Sequence, residues 1–225
     1  RLHGTRPTGG AIEVLLVEPI DSQGTWRCIA RGAGKIPAGE CITFGDRLRA
    51  IWGERTNDVY RTIRLECDGE LDAALEQVGE LPLPPYIRRP EGPSANDRAR
   101  YQTMFARSRG AIAAPTAGLH FTPELMRSLI TRGVICVTLT LIVGPATFLP
   151  VRTSLADHSV PAERYAIPAD TAAAITAARA TGHRVAAVGT TTARALETVA
   201  ADDGVVRAAS GRTDLVIGPG HTFRG

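Results

Sequence analysis

Four short segments hold the residues of this chain best suited to chemistry. In Ala111–Thr122 (AIAAPTAGLHFT), small residues and Gly118 lead to His120 and then to Thr122-Pro123, a helix-start pattern. Imidazole titrates near neutrality, and the free amides of a helix start attract anions. A capped loop in which His120 is hydrogen-bonded only for structure fits the same letters. In Arg184–Thr198 (RVAAVGTTTARALET), an apolar run leads through Gly189 and three threonines into a helical pattern. Ligands of open α/β sheets gather at such strand-to-helix turns. Gly189 lets the backbone come close, and Thr190, Thr191 and Thr192 offer hydroxyls and amides to a carboxylate or phosphate. An ordinary threonine cap is the alternative, since the full GxGxxG pattern is absent.

The other two segments are charged. Between Tyr86 and Arg109, Arg88, Arg89, Arg98, Arg100, Arg107 and Arg109 face only Glu91 and Asp97, with Tyr86, Tyr101 and Phe105 interleaved. Basic side chains among aromatics are the ingredients of a nucleic-acid surface; a solvated helix face uses the same residues. Further on, His158, Glu163 and Tyr165 lie close together, and a histidine near a carboxylate can exchange protons. Any surface loop can also hold them.

The elements that must carry these segments change character near residue 80. Before it, Ala11–Val17, Thr25–Arg31, Cys41–Phe44, Leu48–Trp52 and Val59–Cys67 read as short strands. Turn signals such as Asp21-Ser22-Gln23-Gly24 separate them, as in a small antiparallel barrel or sandwich. After the proline-rich connector Leu81–Ile87, helical patterns (Ala95–Arg109, Pro123–Arg132, Ala169–Thr181, Thr191–Ala201) alternate with strand patterns (Val134–Val143, Arg184–Val188, Thr213–Ile217). Such alternation implies an α/β layer. The expected fold class is therefore α/β plus β, with a β-barrel domain at 1–80 and an α/β domain at 81–225.

Composition is that of a globular protein: 225 residues, 44% hydrophobic and 22% charged, with a net charge of +3 that permits a nucleic-acid partner without requiring one. No apolar run approaches the roughly 20 residues of a membrane span. Cys28, Cys41, Cys67 and Cys136 form no CxxC pair, and the histidines form no HExxH. The chain is thus expected to be a reduced, cytoplasmic protein with no metal site.

Taken in order, the segments resemble one family. PLPPYIRR (Pro82–Arg89), Asp97, RYQTMFA (Arg100–Ala106), APTAGLHFT (Ala114–Thr122), VGPATFLPV (Val143–Val151), VGTTTARALET (Val188–Thr198) and the closing Pro219–Phe223 are similar to motifs of the S-adenosylmethionine:tRNA ribosyltransferase-isomerases of queuosine biosynthesis. Upstream, TGGAIEVLLVEP (Thr8–Pro19) resembles the family's TGGxxEVLL stretch. The likeness covers essentially the whole chain, and the family has sequence beyond both of its ends.

The resemblance implies a β-barrel inserted in, or preceding, an α/β domain. It implies an enzyme that transfers and isomerises the ribosyl moiety of S-adenosylmethionine onto a 7-aminomethyl-7-deazaguanine base in tRNA, releasing adenine and methionine and leaving epoxyqueuosine. S-adenosylmethionine is then a co-substrate, with no bound cofactor, and the partner is tRNA, met by a monomer. His120, His158 and Glu163 are the implied proton-transfer residues. Thr116, Gly118, Gly144, Thr147, Phe148, Gly189, Thr190, Thr191, Arg194 and Glu197 are the implied substrate-binding residues. Arg88, Arg89, Arg98, Arg100 and Tyr101 are expected to meet the nucleic acid.

The chain departs from the family pattern at several positions. Ile142 stands for a histidine before the GTF segment and Ala146 for its second glycine; Pro161 replaces the second histidine of HxMHxE, and His221 the aromatic of the closing PGY. Neither Ile nor Pro moves a proton through its side chain. The alternative reading is a divergent paralogue that uses S-adenosylmethionine on another acceptor, or a non-catalytic protein that binds RNA or a nucleoside.

Overall fold

Apolar alternation at period two organises the first half of the chain. The computed structural model describes residues 1–32, 36–57, 59–84, 86–145, 160–200 and 203–225, which divide into two units, Arg1–Ser94 and Ala95–Gly225. In the first unit, β1 (Leu2–Thr5), β2 (Ala11–Pro19), β3 (Thr25–Arg31), β4 (Cys41–Phe44), β5 (Leu48–Arg55) and β6 (Arg61–Cys67) pair antiparallel. They form a closed barrel in the order β1-β2-β3-β6-β5-β4, sealed by Thr5 opposite Thr43. Every second residue points inward: Ile12 and Val14, Ile42 and Phe44, Leu48, Ala50 and Trp52, Ile63 and Leu65 are all buried. Each large side chain so buried contributes about 1.5–3 kcal/mol, so the barrel is a filled core rather than a pore.

Turn chemistry sets the hairpins. The Asp21 carboxylate accepts the amides of Gln23 and Thr25 at 2.8 and 2.9 Å, which reverses the chain between β2 and β3. Asn57 accepts the amides of Val59 and Tyr60 before β6. The helix α1 (Leu71–Val78) was not expected from the sequence. It lays Leu71, Ala74, Leu75 and Val78, one helical stripe, against the barrel core. The chain then returns to β1: the Arg1 side chain donates to Leu83 O at 3.4 Å, so the connector stays with the first unit as far as Ser94.

The second unit joins helices to a small sheet. Its elements are α2 (Ala95–Arg100), a 3₁₀ turn (Thr116–His120), α3 (Pro123–Thr131), β7 (Thr140–Leu141), β8 (Glu163–Ile167), α4 (Ala169–Ala180), α5 (Thr190–Val199) and β9 (Ala209–Thr213). The sheet runs β7-β8-β9, antiparallel throughout. Ile167, Ala172, Ile175, Leu196 and Val206 form its core, with Leu139, Tyr165 and Val199 packed against them. As the sequence suggests, Thr122 caps α3, its hydroxyl accepting Leu125 N at 3.2 Å, and Pro123 opens the helix.

Four expected elements differ. Of the strand expected over 134–143, only Thr140–Leu141 pairs, and Ile135 is 76% exposed. The expected buried strand 184–188 joins no ladder, with Val185 and Val188 exposed. Apolar, β-branched letters favour an extended chain, but a strand also needs a neighbour for its N–H and C=O groups. Among the described residues no strand flanks 134–139 or 184–188. The helix expected over 95–109 ends at Arg100, because Tyr101 and Thr103 fold inward and the Gln102 side chain takes the Thr103 amide at 3.0 Å. The last strand is 209–213 rather than 213–217. The buried Thr213 hydroxyl meets Thr198 Oγ1 at 2.6 Å and accepts Leu215 N at 3.2 Å, a turn that ends the strand.

Candidate active site on helix α5

Helix α5 gathers the predicted segments of the second unit. It begins at Gly189, whose φ of 91° and ψ of 152° belong to a region that only glycine enters cheaply. A Cβ there would stand 3.2 Å from Ala117 Cβ, so the threonine turn lies against the 3₁₀ turn of the APTAGLH segment. Gly189, at the cap position, has no side chain with which to cap α5, and Thr192 Oγ1 donates back to Val188 O at 2.8 Å. The first-turn amides, including those of Thr190 and Thr191, thus form an uncapped helix start of the kind that favours negative charge.

Close packing holds the 3₁₀ turn. Gly118 is buried, and a Cβ on it would lie 3.0 Å from Thr103 Cγ2. Phe105 and Phe121 meet edge to face, 5.9 Å between centroids, on either side in sequence. Thr116 and His120, at the two ends of the turn, are exposed, so the imidazole is open to a ligand.

The middle of α5 is anchored by charge. Glu163, the first residue of β8, is 5% exposed. Its Oε1 accepts the Gly144 amide at 2.6 Å, and its Oε2 forms an ion pair with the Arg194 guanidinium. Burial lowers the Arg194 pKa from its ordinary value, though a guanidinium stays charged at neutral pH. Three predicted residues, Gly144, Glu163 and Arg194, are therefore one cluster.

One turn further along α5, Glu197 receives the closing segment. Its carboxylate accepts Gly225 N at 2.6 Å, Arg224 N at 2.9 Å and the His221 ring nitrogen Nε2 at 3.1 Å. Burial alone would push this carboxyl up, but the two amides and the imidazole outweigh it and hold the pKa below the usual value. His221 packs edge to face on Phe223 at 5.0 Å. In the sequence, His221 stands out only as a departure from a motif. Its partner, 24 residues away, left no local signal.

Other predicted residues lie elsewhere. Thr147, Phe148 and His158 fall outside the described residues. Arg98 and Arg100 are exposed in the second unit, and Arg88 and Arg89 in the first. Tyr101 is only 8% exposed, so its ring offers no face to a stacking base, whereas Tyr86 is 74% exposed. Among the described residues no group of three or more His, Cys, Asp or Glu could hold a metal ion. No described helix is long and apolar enough to cross a membrane.

The model of the queuosine biosynthesis protein family matches residues 1–225. The chain belongs to this family. An S-adenosylmethionine:tRNA ribosyltransferase-isomerase of Gluconobacter oxydans is 47% identical over 212 residues, 93% of this chain and 61% of that protein. One of the same name from Anaeromyxobacter sp. (strain Fw109-5) is 47% identical over 228 residues, 100% of this chain and 65% of that protein. The chain thus spans less than two thirds of the length of these curated relatives. A solved S-adenosylmethionine tRNA ribosyltransferase from Thermotoga maritima is 27% identical, over 99% of this chain and 59% of that one, at a TM-score of 0.36. Family membership accords with the motif order along the chain, and the fold class is the expected barrel with a second unit of helices and sheet.

Proposed function

We propose that these residues serve an S-adenosylmethionine-dependent ribosyltransferase-isomerase that modifies a 7-aminomethyl-7-deazaguanine base in tRNA, acting as a monomer in the cytoplasm. The observation that carries this reading is the 47% identity to relatives of that name over 93–100% of the chain. The packing of the APTAGLH turn against the threonine turn of α5 supports it, since two segments remote in sequence converge on one exposed histidine and one uncapped helix start.

The reaction sets three demands. The sulfonium acidifies the ribose C5′ hydrogens, and a base removes one. An acid protonates adenine as it leaves. The amine of the deazaguanine then attacks the rearranged ribosyl carbon, and methionine departs. His120, exposed at the end of its turn, is suited to the proton transfers. The amides and hydroxyls of Thr190 and Thr191 beside Gly189 suit a methionyl carboxylate or ribose. Glu163, with both oxygens engaged, is better suited to holding Gly144 and Arg194 in place than to taking a proton. The exposed Arg88, Arg89, Arg98 and Arg100 carry the charge that phosphate contacts need, and such contacts weaken as salt rises.

The test is adenine release from S-adenosylmethionine, with and without tRNA bearing the deazaguanine precursor. Adenine that appears only with that tRNA is the expected result. Adenine released regardless of tRNA would point to a different acceptor or a lyase; Ile142 and Pro161 are the features that favour the alternatives to the tRNA reading. No adenine in either case would refute both enzymatic readings.

A further inference from the structure

The Glu197 carboxylate is occupied on both oxygens by three donors of the protein itself, the amide of Arg224 being shared between them. An ionised carboxylate only accepts hydrogen bonds and offers about four lone-pair positions. Here Oε1 receives Gly225 N at 2.6 Å and Arg224 N at 3.1 Å, and Oε2 receives Arg224 N at 2.9 Å and His221 Nε2 at 3.1 Å. The Glu197 side chain is 4% exposed, so little of it faces solvent or a ligand. The closing segment is tied down from a second helix as well, where the Arg179 guanidinium at the end of α4 donates to Arg224 O at 3.0 Å.

We propose that Glu197 is a positioning residue: its carboxylate binds the segment 218–225 to α5 and takes no group of the substrate. Among the described residues, the donors it receives come from this segment. Three residues earlier, about one helical turn, Arg194 on the same helix holds the Gly144 loop through Glu163. Helix α5 thus holds a neighbouring segment at each of two levels, through Arg194 and through Glu197. The kinetic part of the test rests on the proposed function; the structural part does not.

The test is Glu197→Gln in the purified protein, with His221→Phe as a milder second variant. The glutamine keeps the shape but turns an NH₂ toward backbone donors. The phenylalanine keeps the ring on Phe223 and deletes only the Nε2 bond. Hydrogen exchange at the Arg224 and Gly225 amides is expected to accelerate by roughly 100-fold in the first variant and about 3- to 10-fold in the second. In turnover, kcat is expected to fall about 10-fold in Glu197→Gln while KM for S-adenosylmethionine stays within about twofold. Unchanged exchange in both variants would overturn the proposal. So would faster exchange accompanied by a rise in KM alone, which would mark Glu197 as a substrate ligand. Should Glu197→Gln not fold, His221→Phe decides by the same two readouts. Should the protein release no adenine at all, exchange alone decides, and the loss counts against the enzymatic reading only.

Discussion

The Arg194 guanidinium, in the middle of α5, closes an ion pair with the Glu163 carboxylate at the start of β8, and the other oxygen of that carboxylate holds the Gly144 amide at 2.6 Å. The side chains are 16% and 4% exposed, so the carboxylate is buried and the guanidinium mostly so. A pair desolvated to this degree need not be more stabilising than apolar residues of the same shape, but losing one partner strands the other. Its contribution is geometric: one arginine links a helix, a strand and a loop.

Arg194→Met is therefore expected to destabilise the protein by about 3–5 kcal/mol, because Glu163 stays buried without its counter-charge. Adding Glu163→Gln should restore part of that loss. Urea denaturation of the two single variants and the double variant measures the coupling. Strictly additive effects would mean that the pair does not act as a unit.

The lowered pKa of Glu197 sets a pH dependence. A carboxyl held lower in the folded than in the unfolded state stabilises the fold above its unfolded pKa, about 4.3 for glutamate. That stabilisation fades as pH falls through the folded value. The parent should thus exceed Glu197→Gln in stability at pH 7, and the gap should close below about pH 4. Thermal melts of both proteins across that window give the comparison. A gap that stayed constant would show that the carboxylate charge is not what holds the segment.

Gly189→Ala meets two obstacles at once. The residue must adopt a φ of 91°, and its methyl group must fit 3.2 Å from Ala117 Cβ. A cost of about 1–3 kcal/mol is expected from the backbone alone, with the APTAGLH turn displaced. Binding of S-adenosylmethionine, followed by calorimetry, should weaken more than in Gly133→Ala, whose Cβ would meet nothing within 4 Å although its φ of 81° is strained too.

His120→Ala should lower adenine release by about 10²–10⁴-fold if the imidazole transfers a proton. Its exposure makes a folding defect small, so melting temperature and turnover separate the two effects. Turnover within a few-fold of the parent would remove His120 from the chemistry.

Much of this architecture is local in the sequence. Alternation within Ala11–Pro19, Thr25–Arg31 and Arg61–Cys67 is enough to mark strands with one buried face, and Thr122-Pro123 is enough to start α3. Side-chain periodicity and capping act over a few residues, so a short window of sequence carries them. The order of the motifs was likewise legible, and with it the family.

Other features could be decided only by contacts between distant residues. Nothing within β3 says that it pairs with β6 rather than β4, and nothing near Glu163 says that its partners are 19 and 31 positions away, at Gly144 and Arg194. The stretch 134–139 has the letters of a strand but no described neighbour, whereas Glu163–Ile167, a less obvious strand, gains one on either side. Backbone pairing and the burial of charge are satisfied by whichever groups the fold brings together. The sequence by itself therefore determined which segments could be strands, helix starts and chemical groups. The tertiary structure alone decided which of them meet.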